Sequence, residues 1–158
     1  MPGMPSAQTL LDQEKRFVFP RLAESDGIRI GRRILELAEA RDLPVTVEVR
    51  RLGRVVFRAA REGTNAENDM YLAGKARVVE RFSHSSFYER QRHAESGGDF
   101  TRDTGLPFPE FAPFGGGIPL LVEGEGPVGA VMVSGLAQED DHALIVEAMD
   151  SLLAGAHA

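Results

Sequence analysis

The chain has 158 residues, 42% hydrophobic and 27% charged, which suits a single globular domain spanning 1–158 with one core. It contains no cysteine, which excludes disulfides, Cys-ligated zinc, iron–sulfur clusters and thiol nucleophiles together. Its 18 basic and 24 acidic residues leave a formal net charge of −6, which disfavours nonspecific nucleic-acid binding, although arginines such as Arg29, Arg32, Arg33, Arg50, Arg51 and Arg54 leave a local basic face open.

Met1 to Gln8 has neither the basic start nor the apolar core of a signal peptide. No apolar run approaches the ~20 residues that span a bilayer. A cytoplasmic protein without membrane or nucleic-acid partners is expected, with residues 1–6 a flexible N-terminus. Ser6 caps a first helix, about residues 7–19, which ends near Pro20. Ser25 or Asp26 caps a second from Gly27 to Arg41, where small and apolar positions recur at 27, 31, 34, 35 and 38 until Pro44 stops it. Val45, Val47 and Val49 alternate with Thr46, Glu48 and Arg50, the pattern of a half-buried strand. Leu52-Gly53 is a turn, and Arg54 to Ala60 returns as the second strand of a hairpin. A third helix, about residues 66–83, has an apolar arc of Leu72, Ala76, Val79 and Phe82. Lys75 falls within that arc, where a lysine either snorkels to the surface or points into a pocket. Ser86-Phe87-Tyr88-Glu89 has the form of a capping box and starts a short fourth helix from Phe87 to about Ala94. Residues 96–114, broken by Gly97-Gly98, Pro107, Pro109 and Pro113, form a long connection of the kind used as a lid, binding loop or oligomer contact. Ile118 to Glu123 and Val128 to Ser134 are strands around a Gly124–Pro127 turn. The closing helix carries Glu139, Asp140 and Asp141 in its first turn, where the helix dipole favours acids, and Ile145, Met149, Leu152 and Leu153 as its core stripe, with Val146 beside it. There is no βαβαβ rhythm, so a doubly wound nucleotide-binding fold is disfavoured.

Gly115-Gly116-Gly117 is the most conspicuous motif. A phosphate cradle follows a strand and opens a helix, whereas these glycines precede a strand, and Pro119 lacks an N–H. An oxyanion hole needs a nucleophile, and no G-x-S-x-G elbow occurs; Ser134-Gly135 lies in strand context. What remains is a backbone corner where side chains would be in the way. His84, among Ser83, Ser85 and Ser86, reads either as a hydrogen-bonded histidine at a helix junction or as a ligand. Asp140-Asp141-His142 cannot all face one ion from consecutive helical positions, so His142 reads as a packed, hydrogen-bonded histidine. Glu89 and His93, one turn apart, read as an exposed pair. No metal site and no catalytic residue are assigned, and whether the chain is an enzyme stays open.

The stretches "RRLGRVVFRAAREGTNAEND", "KARVVERFSHSSFY", "GGGIPLLVEGEGPVGAVMVSGL" and "QEDDHALIVEAM" resemble the haem-degrading domain family, also called GlcG/HbpS-like, and most of all its short stand-alone branch, to which no single activity is assigned. The resemblance covers most of Pro44 to Leu153. It implies an α+β, profilin-like fold, with an antiparallel sheet of about five strands flanked by helices; the fifth strand is expected within 97–114. It implies a homo-oligomer that binds a small molecule, with haem or a related tetrapyrrole as the cofactor some relatives bind. Lys75, His84, Ser85, Ser86, Ser134, Asp141 and His142 match the branch. Tyr71 and Gly74 stand where it has tryptophan and arginine, Ile118-Pro119 where it has Phe-Pro, and Phe114 where it has histidine, so any ligand role of that histidine is lost here. The expected ligand site joins these matching residues to Phe114, Gly115, Gly116 and Gly117, with Phe82 and Phe87 as further apolar contacts and His84 approaching a haem iron. The alternative is an assembly or adaptor protein without small-molecule chemistry, in which the same residues make subunit contacts. A hydrolase using Ser85 or Ser134 ranks last.

Overall fold

The computed structural model describes residues 4–156. In chain order the elements are α1 (Ala7–Arg16), β1 (Val18–Phe19), α2 (Glu24–Ala40), β2 (Thr46–Arg51), β3 (Arg54–Ala60), α3 (Ala66–Phe82), α4 (Ser86–Glu95), α5 (Phe100–Thr104), β4 (Gly117–Val122), β5 (Gly126–Ser134) and α6 (Gln138–Ala156). The five strands form one sheet in the order β1-β4-β5-β2-β3. All neighbours are antiparallel except β1 and β4, which run parallel with Val18 opposite Leu121. The α+β class is as expected. The fifth strand is Val18–Phe19 rather than part of 97–114. Two residues are too short for an alternation to register, and the first helix ends at Arg16, three residues before the expected end, to release them.

Helices α2 and α6 cover one face of the sheet. Ile30, Ile34, Leu37, Ile145 and Met149 pack there on Val45, Val47, Val49, Leu120, Val131 and Val133. Each large aliphatic side chain removed from water contributes about 1.5–3 kcal/mol. The other face is covered by α3, where Leu72, Ala76 and Val79 meet Ala130 and Met132. Strand β2 is therefore buried on both faces, not half-buried: Thr46 and Glu48 are enclosed as fully as the valines. Glu48 sits there because Arg50 lies 2.8 Å away, with Arg58 at 3.6 Å. Gly31 lets α2 approach β3, since a Cβ at this position would run into the Phe57 ring.

Two helix starts differ from expectation. Helix α2 begins at Glu24; Ala23 is its cap, and Asp26 reaches back to accept the Ala23 N–H at 2.7 Å. Helix α4 begins at Ser86 because Ser85, not Ser86, accepts the Tyr88 N–H. Of the expected flexible N-terminus, residues 1–3 lie outside the described residues. Pro5 accepts a hydrogen bond from Gln91 at 2.7 Å, and Ser6 caps α1 as read from sequence. The long connection carries the short helix α5 and then lies back along α3. Ala112 N–H donates to Gly74 O at 3.1 Å, and a Cβ on Gly74 would sit 2.8 Å from Pro109 O. Among the described residues, no helix is long and apolar enough to cross a membrane.

Candidate functional site

Helices α3 and α6 meet the end of β5 at a cleft of about 450 Å³. Its floor holds Lys75, from the middle of α3, and Asp141, from the first turn of α6. Both are almost fully buried. Lys75 Nζ donates to Asp141 Oδ2 at 3.1 Å and to Val133 O at 2.8 Å. The second carboxylate oxygen of Asp141 accepts the Leu136 N–H at 3.0 Å. Of the two readings of Lys75, snorkelling to the surface or pointing into a pocket, the structure has the second. Its position within the apolar arc keeps the stem inside, and Asp141 supplies the counter-charge that makes this tolerable. Burial pushes the Asp141 carboxyl up to about 6, against the opposing pull of Lys75 and of the Leu136 and Gly135 N–H groups. Burial also lowers the Lys75 ammonium below its ordinary value, partly offset by Asp141. Both shifts favour the neutral forms, because desolvation outweighs the attraction between the partners.

The cleft walls are polar. Asn65, which caps α3, joins Asn68, Ser134 and Gln138, with Tyr71 and Phe114 as aromatic members. Asn68 Nδ2 lies 3.4 Å from Ser134 Oγ. The Tyr71 and Phe114 rings meet edge to face at 6.0 Å, and Arg90 stacks on Phe114 at 4.7 Å. Sequence reading missed Asn68 and Tyr71, yet both lie on the same helical face as Lys75, seven and four residues earlier.

The three glycines run beneath this floor. Gly116, at φ +119°, accepts the Val133 N–H on its carbonyl at 2.8 Å, and a Cβ there would sit 2.5 Å from Val133 O and 2.7 Å from Lys75 Nζ. A Cβ on Gly115 would run onto the Gln138 carbonyl, and one on Gly117 would come within 3.0 Å of Ser86 Oγ. Gly115 N–H is itself held by Gln138 Oε1 at 3.1 Å. The corner reading fits these contacts: the Gln138 and Val133 carbonyls crowd Gly115 and Gly116, and at Gly116 the Lys75–Asp141 pair adds to them.

The other residues expected at the site lie elsewhere. Asp141 and His142 are adjacent but turn to different cavities, as successive helical positions must. His142 borders a second, more apolar cavity of about 800 Å³ with Met4, Pro5, Gln13, Phe87 and Val146. Burial pushes His142 down to about 4, so it is neutral near pH 7, with Nε2 2.8 Å from Gln13 Oε1 and Nδ1 buried without a partner. His84 lines neither cavity. Its Nδ1 lies 2.8 Å from Glu14 Oε2, its ring packs on Tyr88, and its side chain is 38% exposed. The other Glu14 oxygen accepts the Ser85 N–H. Ser86 Oγ donates to Phe114 O at 2.6 Å. Phe82, Phe87 and Phe114 do not converge: Phe82 packs on Phe100, and Phe87 on His142. Glu89 and His93 are not an exposed pair; Glu89 is buried against Arg92 at 2.7 Å, and His93 reaches Asp103 at 3.0 Å. No described histidine hydrogen-bonds to Ser85 or Ser134.

Comparison with known proteins bears directly on this architecture. The family model described as haem degrading protein HbpS-like matches residues 22–150. A UPF0303 protein of Streptomyces coelicolor is 39% identical over 152 residues, covering 96% of both chains. Among solved structures, the Ybr137w protein superposes with a TM-score of 0.85 at 24% identity, covering 96% of this chain and 90% of that one. The PduOC:Heme complex superposes with a TM-score of 0.69 at 19% identity, covering 82% and 94%. Matched over residues 22–150 and sharing its fold with these structures, the chain belongs to the HbpS-like haem-degrading protein family.

Proposed function

We propose that the chain is a cytoplasmic, homo-oligomeric small-molecule-binding protein whose ligand occupies the cleft above Lys75 and Asp141. The observation that carries this reading is a buried ion pair at the floor of an open polar cleft. A buried pair is a poor source of stability compared with an apolar replacement, so its position beneath a cavity points to binding rather than to folding. An ammonium has three donors. Val133 O and Asp141 Oδ2 take two, and the third is free for an acceptor on a ligand. With Asn68, Ser134 and Gln138 in the walls, the ligand is a small polar molecule bearing a carbonyl or carboxylate.

Haem is the second reading, supported by the family and by the haem complex of the PduO relative. The cleft itself fits haem poorly. Its walls are mainly polar, Glu67 and Asp141 oppose propionates, and Tyr71 is its one described residue of a type that holds haem iron. The observation that favours haem lies outside the cleft: Glu14 engages Nδ1 of the partly exposed His84, the kind of carboxylate contact that orients metal-binding histidines. His84 opens to the surface, so a haem there would be shared with a neighbouring subunit.

Two measurements test these readings. In a thermal-shift series with small oxo acids and hydroxy acids, a shift in wild type that weakens in Ser134→Ala supports the cleft; no shift with any of them supports the assembly alternative. In a haemin titration, a Soret shift that saturates per subunit and is weakened by His84→Ala supports haem, and an unshifted band in wild type removes it. Light scattering checks oligomerisation, which a mass of 17.2 kDa, that of one chain, would refute.

A further inference from the structure

We propose that Lys75 forms a reversible imine with a small polar aldehyde or ketone bound in the cleft, with Asp141 carrying the protons. This rests on the cleft reading above and adds a reaction to it. The chain has two lysines against 16 arginines. Lys15 lies on the surface with its side chain 67% exposed, while Lys75 is 3% exposed at the cleft floor. An arginine would hold Asp141 through two parallel bonds and remain charged; of the common cations, only a lysine becomes a nucleophilic amine on losing its proton. The geometry supplies the acceptor of that proton, since Asp141 Oδ2 lies 3.1 Å from Nζ. Gly116 leaves Nζ room where any side chain would press against it. Burial shifts both partners toward the neutral amine and acid, which supports the same transfer.

The step balances without a further reactant. Proton transfer from the ammonium to Asp141 leaves a neutral amine and a carboxylic acid. The nitrogen lone pair forms the N–C bond as the C=O π pair moves to oxygen, which takes the Asp141 proton. Asp141 then removes a proton from nitrogen to give the carbinolamine. It returns that proton to the hydroxyl, which leaves as water while the nitrogen lone pair forms C=N. The product is a protonated imine paired with the Asp141 carboxylate, so the buried site ends with the charge balance it began with. Ser134, Asn68 and Tyr71 are placed to meet polar groups on the carbonyl compound.

The test uses wild-type protein with glyceraldehyde and, separately, pyruvate under cyanoborohydride, followed by intact mass and peptide mapping. Having two lysines makes the comparison internal. Lys75 is expected to be modified faster than Lys15 despite its burial, because an amine whose pKa is lowered carries more of the free base at a given pH. Lys75→Arg, which keeps a cation beside Asp141, is expected to lose that adduct and retain the one on Lys15. Adducts confined to Lys15 and the N-terminal amine would overturn the proposal. Side-chain amide NMR shifts of Asn68 and Gln138, recorded with pyruvate and with lactate, separate the two claims. Shifts without a Lys75 adduct leave the cleft reading standing and remove the imine, whereas neither shifts nor adduct removes both.

Discussion

Replacing Lys75 with methionine keeps the length and apolar stem of the side chain but removes the charge beside Asp141. Asp141 is then a carboxylate in an enclosed site whose remaining donors are backbone N–H groups. Removing one partner of a buried pair typically costs about 3–5 kcal/mol. The carboxylate can escape by binding a proton, which sets an upper bound. Measured from its ordinary value of 3.8, that bound is ~6 kcal/mol at about pH 8 and ~2 kcal/mol at about pH 5, at ~1.4 kcal/mol per unit. The sign follows from a folded-state pKa raised above the unfolded one. The folded variant holds a proton that the unfolded chain has released, so its stability falls as pH rises above ~4. For a domain of this size the loss at about pH 8 corresponds to a fall in Tm of about 10 °C, shrinking to a few degrees at about pH 5. Thermal unfolding of wild type and Lys75→Met at both pH values decides the matter. An equal drop at both would mean that Lys75 acts through packing, and no drop at either would mean that the pair is not buried as described.

Other expectations follow from the same contacts. Gly115→Ala and Gly116→Ala are each expected to cost ~2 kcal/mol or more by urea denaturation, because the new methyl meets backbone carbonyls and, at Gly116, a positive φ. Gly117→Ala, whose nearest obstacle is the Ser86 hydroxyl at 3.0 Å, is expected to cost ~1 kcal/mol or less; equal losses at all three would refute the assignment of the crowding. His142 is held neutral by burial, with its pKa lowered from 6.5 to about 4. The unfolded chain therefore binds the extra proton within that window, and wild type loses stability as pH falls through it. His142→Gln is expected to lose up to ~3 kcal/mol less than wild type over this range, measured by denaturant titration. Gly74→Arg is expected to lift residues 105–114 off α3, where Ala112 and Pro109 leave no room for a side chain. Limited proteolysis within that loop then rises sharply, and an unchanged cleavage pattern would contradict the packing.

Much of the architecture was legible from local pattern. The apolar stripe of α2, the hairpin of β2 and β3, the β4–β5 pair and the acidic first turn of α6 all follow from spacing within a single element. So does the corner at Gly115–Gly117, because a run of glycines before a strand has few other uses. The two-residue β1 left no alternation to read, and Thr46 and Glu48 gave β2 the look of a strand with one wet face. Their burial depends on α3 closing over the second face, a fact about distant residues. Ser85 and Ser86 are equally good caps in isolation; Ser86 is drawn away by the Phe114 carbonyl, 28 residues on.

The candidate site divides along the same line. That Lys75 belongs to the apolar arc of α3, and that Asp141 and His142 must face different ways, are consequences of 3.6 residues per turn. That Lys75 meets Asp141, 66 residues later, while His84 and His142 go elsewhere, was decided by how α3 and α6 pack against the end of β5. Periodicity assigns a side chain to a face of its own element, but pairing of buried charges depends on the position of two elements relative to a third. That arrangement is set by burial of the whole sheet, to which every element contributes.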